Sequence, residues 1–394
     1  MSRSRSFVPA LLAAVALVLG ACAPDQPEPA PEPVRDPYPV DTALPSVDLS
    51  EMWLPRSLEE LDVVDPGWDG EPQHADGIYL GPGERDGLVE FTAVGVHGDV
   101  LWAVQRPAGH EGFALTTDDQ GRALAVLTDV TETDGGTTAT AYDLRTGEQL
   151  WGPVEVPGPH RGPGLVFGTS ADASDELLAL DPGTGGAAAS ADTGQGRVVG
   201  EFHGTVLVAD TDSLVARDSG DDRELWRIAA ADQGWDASTL AAPTGPSPVD
   251  GMTLLTTSDS TGALVDLRDG TVVSDTAQDA WLDHATGTLV IFDGTGLHAF
   301  DPAHELLWQL TVGPDTSVEA VGGVFVYVRE DDAVRAHNVV TGAVAEAYDP
   351  QGQGPIVVPA HLTVRGAGLL PVDGRLLVAT LPEEPGMPDN APGG

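Results

Sequence analysis

The chain has 394 residues with 18 arginines, no lysine and 62 acids, for a net charge of −44. No basic stripe exists to meet phosphates, which excludes a nucleic-acid partner. The single cysteine excludes an intrachain disulfide and any zinc site built on cysteines.

Arg3 and Arg5 precede an apolar run from Phe7 to Leu19, which leads into Gly20, Ala21 and Cys22. A basic start, an apolar stretch too short to span as a mature helix, and small residues ahead of a cut make residues 1–21 a secretory signal. The Leu-Gly-Ala-Cys ending resembles a bacterial lipobox. That resemblance implies cleavage before Cys22 and a diacylglyceryl group on its sulfur, placing the protein on the extracytoplasmic face of a cell membrane. Cleavage removes two arginines and no acid, leaving 16 arginines against 62 acids and a charge of −46. An anionic bilayer repels such a domain, so the lipid on Cys22 is the expected attachment. Residues 22–48 follow, with eight prolines between Ala23 and Asp48. They are expected to form an extended, disordered tether, rising about 3.1 Å per residue where polyproline-like.

From residue 49 to residue 381 a hairpin signature recurs. Gly95, with Trp102 after it, holds the first copy. Ala141-Tyr142-Asp143-Leu144-Arg145-Thr146-Gly147, with Trp151, is the clearest. Further copies centre on Asp181, on Asp218 with Trp226, on Asp266, on Asp301 with Trp308, and on Asn338; Asp373-Gly374 marks a last hairpin. From Asp143 to Asn338 the copies stand 35–48 residues apart, a period that in a chain rich in glycine and β-branched residues marks a β-propeller. The Asp or Asn accepts bonds from the amides that follow, and the glycine supplies a positive φ where the chain reverses. Asp222 and Glu305 fill the glycine position after Asp218 and Asp301. The residue two before the Asp is alanine except at Leu264, which suits a strand pressed against a neighbouring sheet. The tryptophan falls on the next, outer strand, where it can wedge between blades. The expected fold is therefore all-β, a propeller of seven or eight four-stranded blades. Eight is favoured; seven results if the two terminal pieces join to complete one blade. Residues 382–394 are expected to be a disordered tail.

The pattern Ala-x-Asp-x-x-Thr-Gly-x-x-x-Trp resembles the repeats of the pyrroloquinoline-quinone-like (quinoprotein-like, WD40/YVTN-like) β-propellers over most of residues 75–381. The resemblance implies the fold; it leaves activity open, since that superfamily holds quinone dehydrogenases, assembly scaffolds and envelope lipoproteins. Its dehydrogenases often carry a vicinal disulfide beside the cofactor, which one cysteine cannot form. The arginines are dispersed among the blades, with no basic cluster to meet a carboxylate-bearing cofactor. Neither a Gly-x-Ser-x-Gly elbow, a P-loop nor a zinc-type histidine pair occurs. His298, His304 and His337 lie beside turn signatures and are read as turn or strand-edge residues. The acid-rich turns Asp218–Asp222 and Glu330–Asp332 lack calcium-loop spacing and are read as surface turns. No catalytic, cofactor or metal residue is assigned, and no cofactor is expected. The reading is a lipid-anchored, non-catalytic propeller that binds an envelope protein or a small ligand. The alternative is an extracytoplasmic propeller enzyme acting on a sugar or lactone, whose carboxylates would come from different blades.

Overall fold

Each repeat folds into one antiparallel sheet, and eight such sheets follow one another round a ring. The computed structural model describes residues 31–382 except 110–111, 132–134, 170–176, 191–195, 244, 246, 248, 258–261, 314, 332 and 364–365. Blades I to VIII comprise residues 73–107, 113–156, 159–190, 197–229, 241–274, 279–311, 316–345 and 361–380, the last completed by strand Asp62–Val64. In blades III and V the innermost strand is reduced to a single bridge, His160 with Phe167 and Ala241 with Thr256. Helix among the described residues is limited to two short 3-10 turns, Ala230–Gln233 and Ala237–Thr239. The count of eight holds, and the joining of the two ends, expected only for seven blades, occurs within that count: Asp62–Val64 pairs with Arg375–Thr380 and supplies the outer strand of blade VIII.

The signature turns are one structure repeated. Asp143 accepts from the amides of Arg145 and Thr146, Asp181 from Thr184, Asp218 from Gly220 and Asp221, Asp266 from Arg268, Asp301 from Ala303 and Glu305, and Asn338 from Val340 and Thr341. Each turn closes through a left-handed residue that donates to the carbonyl of the Asp or Asn, as Gly147 (φ 70°) does to Asp143 at 2.9 Å. Two details differ from the sequence reading. After Asp301 it is His304 (φ 60°), not Glu305, that takes the left-handed position, because this turn is one residue tighter. Asp373-Gly374 forms the hairpin between the second and third strands of blade VIII, so it is not equivalent to Asp143; the matching end of that blade is at Thr380.

The tryptophans join neighbouring blades. Trp102, Trp151, Trp226 and Trp308 stand on outer strands directly opposite Ala93, Ala141, Ala216 and Ala299. Each indole N–H donates to a carbonyl in the signature turn of the next blade: Leu144 at 2.8 Å, and Pro182, Leu267 and Val339 at 2.7 Å. The ring lies on that turn's glycine. A Cβ at Gly185 would sit 2.5 Å from Trp151, and one at Gly270 would sit 2.7 Å from Trp226. The glycine therefore serves both a positive φ and a close approach. Among the described residues the apolar core is divided in the same way, into eight clusters that each span two adjacent blades.

The proline-rich segment departs from expectation. Residues 34–48 do not stand free but lie along the outer rim. Tyr38 exchanges two 2.9 Å backbone bonds with Ala103 on the outer strand of blade I, and Val47 donates to Val63 at 2.8 Å on blade VIII. Beyond the segment the chain continues over blade VII, where Arg56 donates to Ala347 at 2.8 Å. Pro37 and Pro39 flank Tyr38, so the one amide between them faces the strand while the prolines need no donor outward. The Tyr38 hydroxyl donates to the buried Glu90 at 2.6 Å, and Arg35 pairs with Asp129 of blade II. Composition predicted a polar, extended chain; extension is also what an added edge strand requires. The signal segment, Cys22 and residues 383–394 lie outside the described residues.

Removing one indole should test this architecture. Trp226→Ala loses a buried ring and its interblade bond and is expected to cost about 3–5 kcal/mol. Gly270→Ala pushes a methyl into the same ring and should cost about 1–3 kcal/mol. Denaturant midpoints measure both, and near-wild-type values for the pair would show that the wedge carries no interblade energy.

Candidate functional site

The inner strands and the turns leading from them carry the side chains that face the ring axis. His74 lies on strand Gln73–Ala75 of blade I and His361 on His361–Leu362 of blade VIII. His203 follows strand Arg197–Phe202 of blade IV, and His284 follows Asp279–Asp283 of blade VI. Asp250 precedes Met252–Thr256 of blade V. The turns are firmly set. His203 and Gly204 both have positive φ (51° and 84°), a tight two-residue hairpin. Next to His284, fully buried Asp283 accepts from Thr286 N at 3.1 Å and, across the blade boundary, from Val324 N at 3.2 Å.

Two contacts and a set of electrostatic couplings link these five residues. His74 and His361 stack across the seam between the first and last blades, with ring centroids 3.6 Å apart and planes at 44°. Tyr79 Oη lies 2.9 Å from His361 Nδ1, and His284 Nδ1 lies 3.7 Å from Asp250 Oδ2. Asp250 of blade V and His284 of blade VI both act electrostatically on His74 of blade I. Blades I and V are opposite members of an eight-fold ring, so that coupling runs across the axis.

Burial lowers the proton affinity of His74 and His203, yet both keep exposed surface. His361 is pushed down to about 3, first by burial and then by His74 and His284. The stacked imidazoles are therefore neutral at physiological pH and can donate and accept hydrogen bonds without charge. Among the described residues no group of three or more His, Cys, Asp or Glu is placed to hold a metal ion.

Glu201 has a different role. It is fully buried on the inner strand of blade IV, and burial raises its pKa to about 7. Its carboxylate accepts from Leu165 N of blade III at 2.9 Å and from Gly204 N at 2.7 Å, with Thr116 Oγ1 of blade II at 3.3 Å. The group clamps three blades and has no open face for a substrate. The turn histidines behave as read: His298 Nε2 lies 2.9 Å from Asp293, His337 Nδ1 lies 3.0 Å from the Gly342 carbonyl, and His304 closes its turn.

Sequence reasoning missed the axial cluster, which brings together four of ten histidines read as scattered. A signal was present. His203, Asp250 and His284 stand 15, 16 and 17 residues ahead of Asp218, Asp266 and Asp301, so aligning the chain on its repeat places all three in the same turn.

No protein-family model matches the chain, and no curated protein matches it. Solved structures do. BamB from Moraxella catarrhalis is 17% identical, with 88% of this chain and 100% of that chain covered and a TM-score of 0.43. The computationally designed Ika8 protein is 15% identical, with 84% and 100% covered and a TM-score of 0.43. The quinohemoprotein alcohol dehydrogenase ADHIIG from Pseudomonas putida HK5 is 12% identical, with 91% and 78% covered and a TM-score of 0.33. Likeness at this level carries no argument about what the present chain binds or does.

The depressed imidazoles make stability depend on acid. A histidine whose folded pKa is lowered contributes stability that is complete above its unfolded value of about 6.5 and is lost as pH falls toward the folded value. For His361 that window runs from about 6.5 down to about 3, and His74 adds in the same direction. The denaturant midpoint should fall more steeply with acidification in the wild type than in His361→Gln, which keeps an acceptor for Tyr79. Parallel curves would show that the pair does not titrate as the geometry requires.

Proposed function

We propose that this chain is a non-catalytic, lipid-anchored propeller on the extracytoplasmic face of a bacterial cell membrane, serving as a protein- or ligand-binding platform. The observation that carries the reading is the convergence of His74, His203, Asp250, His284 and His361, from five separate blades, toward the ring axis. Four imidazoles and one carboxylate set on inner strands and rigid turns form a preorganised group, and the stacked rings of His74 and His361 offer hydrogen bonds at little desolvation cost because burial keeps them neutral. His361 is too weak a base to take a proton near neutral pH, which favours recognition over acid–base chemistry. The basic start, apolar run and Cys22 supply the means of attachment, and a strongly acidic domain has no other obvious hold on an anionic bilayer.

Two measurements check the two halves of this reading. Cys22→Ser should leave the membrane fraction; full retention in both low and high salt would remove the lipid anchor. The released chain, used to capture partners from envelope extract, should lose its capture when His74, His203 and His284 are together replaced by alanine. Undiminished capture would remove the axial cluster from recognition.

A further inference from the structure

A second feature lies apart from the imidazole cluster and shares no residue with it. A cavity of about 140 Å³ opens between the inner edges of blades III, IV and V, walled by Arg161, Arg197, Val166, Leu177, Val199 and Ala241 among others. That is far above the roughly 10–15 Å³ one water needs. Arg161 is set in place by its own backbone, whose N–H donates to Val166 at 2.8 Å. Its guanidinium makes no hydrogen bond or ion pair among the described residues, and its Nε is buried without a partner. This is anomalous in a chain with 62 acids for 18 arginines. Other arginines end on carboxylates, as Arg268 does on Asp266 at 2.7 Å and Arg106 on Asp129 at 3.6 Å. Arg197 joins the same wall, with its guanidinium held by the carbonyls of Leu240 and Ala237. The arginines were expected to be dispersed with no cluster, but these two stand one repeat apart, so the ring brings them to one cavity.

A buried donor without a partner loses solvation and regains it only when an acceptor arrives. A planar guanidinium matches a planar carboxylate through two parallel bonds. The remaining wall is aliphatic, so the fitting ligand carries an apolar body behind its charge. We propose that this cavity binds a small organic carboxylate, with its oxygens on Arg161 and its body against Val166, Leu177 and Val199.

Calorimetry on the full chain in detergent tests this with benzoate, inorganic phosphate and benzyl alcohol as probes. Benzoate should bind, with phosphate and benzyl alcohol each at least about tenfold weaker. Arg161→Gln should weaken benzoate by a similar factor and leave thermal unfolding of the free protein unchanged or improved, since it removes an unpaired buried donor. Arg161→Lys, which keeps the charge without the fork, should fall between, and it serves if the glutamine variant does not fold. Absence of benzoate binding at saturating concentration, or equal binding by Arg161→Gln, would overturn the site. Phosphate binding as tight as benzoate would overturn the carboxylate assignment. None of these outcomes bears on the axial-cluster reading, because the two sites have separate residues.

Discussion

The structure depends on an indole laid across a glycine. On the outer strand of one blade a tryptophan stands opposite an alanine, extends over the boundary, and meets the left-handed glycine of the next signature turn. Each partner explains the others. The alanine leaves room for the ring, the left-handed glycine lets it approach, and the Asp that caps the turn holds the accepting carbonyl in line. The strands of neighbouring blades do not pair with one another, so register rests on contacts of this kind, on the shared apolar clusters and on buried clamps such as Glu201. A directional bond inside an apolar contact sets both spacing and angle.

Four boundaries use this device, and others use substitutes that reach the same places. Between blades III and IV the Ser219 hydroxyl donates to Asp181 at 2.6 Å. Between VIII and I, Leu381 N donates to Val96 at 2.8 Å, and Gly98 sits against Thr380. The ring itself closes inside blade VIII, where strand Asp62–Val64, which leads on into blade I, pairs with Arg375–Thr380. Several contacts reinforce this closure. The strand Asp62–Val64 completes blade VIII, residues 34–56 run over the rim of blades I, VIII and VII, and the His74–His361 stack bridges the inner side. Without disulfides, closure rests on these non-covalent additions.

What the sequence disclosed follows from the range of the interactions involved. Turn chemistry is local: Asp143 and Gly147 act on neighbours within four residues, so the period, the strand identities and the outer position of Trp151 could be read directly. The rim segment could not, because Pro37-Tyr38-Pro39 has the composition of a free linker, and only the distant Ala103 makes it an edge strand. His74 and His361 are nearly the whole propeller apart in sequence and touch only because the ring closes. Arg161 and Arg197 look dispersed in a list and adjacent in a repeat. In a closed ring, residues at one phase of the period converge on the axis, so phase, not proximity, is the variable that locates a site.

The same geometry sorts charge. Signature turns and outer strands hold acids in solvent, as at Asp221 and Asp222, Glu305 and Glu346. Carboxylates on the inner strands are mostly consumed by the fold: Glu201 and Asp283 by backbone amides, Glu319 by Arg329 at 3.1 Å. What faces the axis is then mainly imidazole and guanidinium, with the carboxylate of Asp250 among them, inside a coat that repels anions at long range. Long-range repulsion is screened within about 8–10 Å at physiological salt, whereas a guanidinium in a partly desolvated wall acts at contact. An anion that enters is therefore selected by shape and by a specific donor, while any cation is drawn to the outside first. The acidic surface and the imidazole- and guanidinium-bearing interior are two results of one arrangement, in which the signature turns point outward and the period points in.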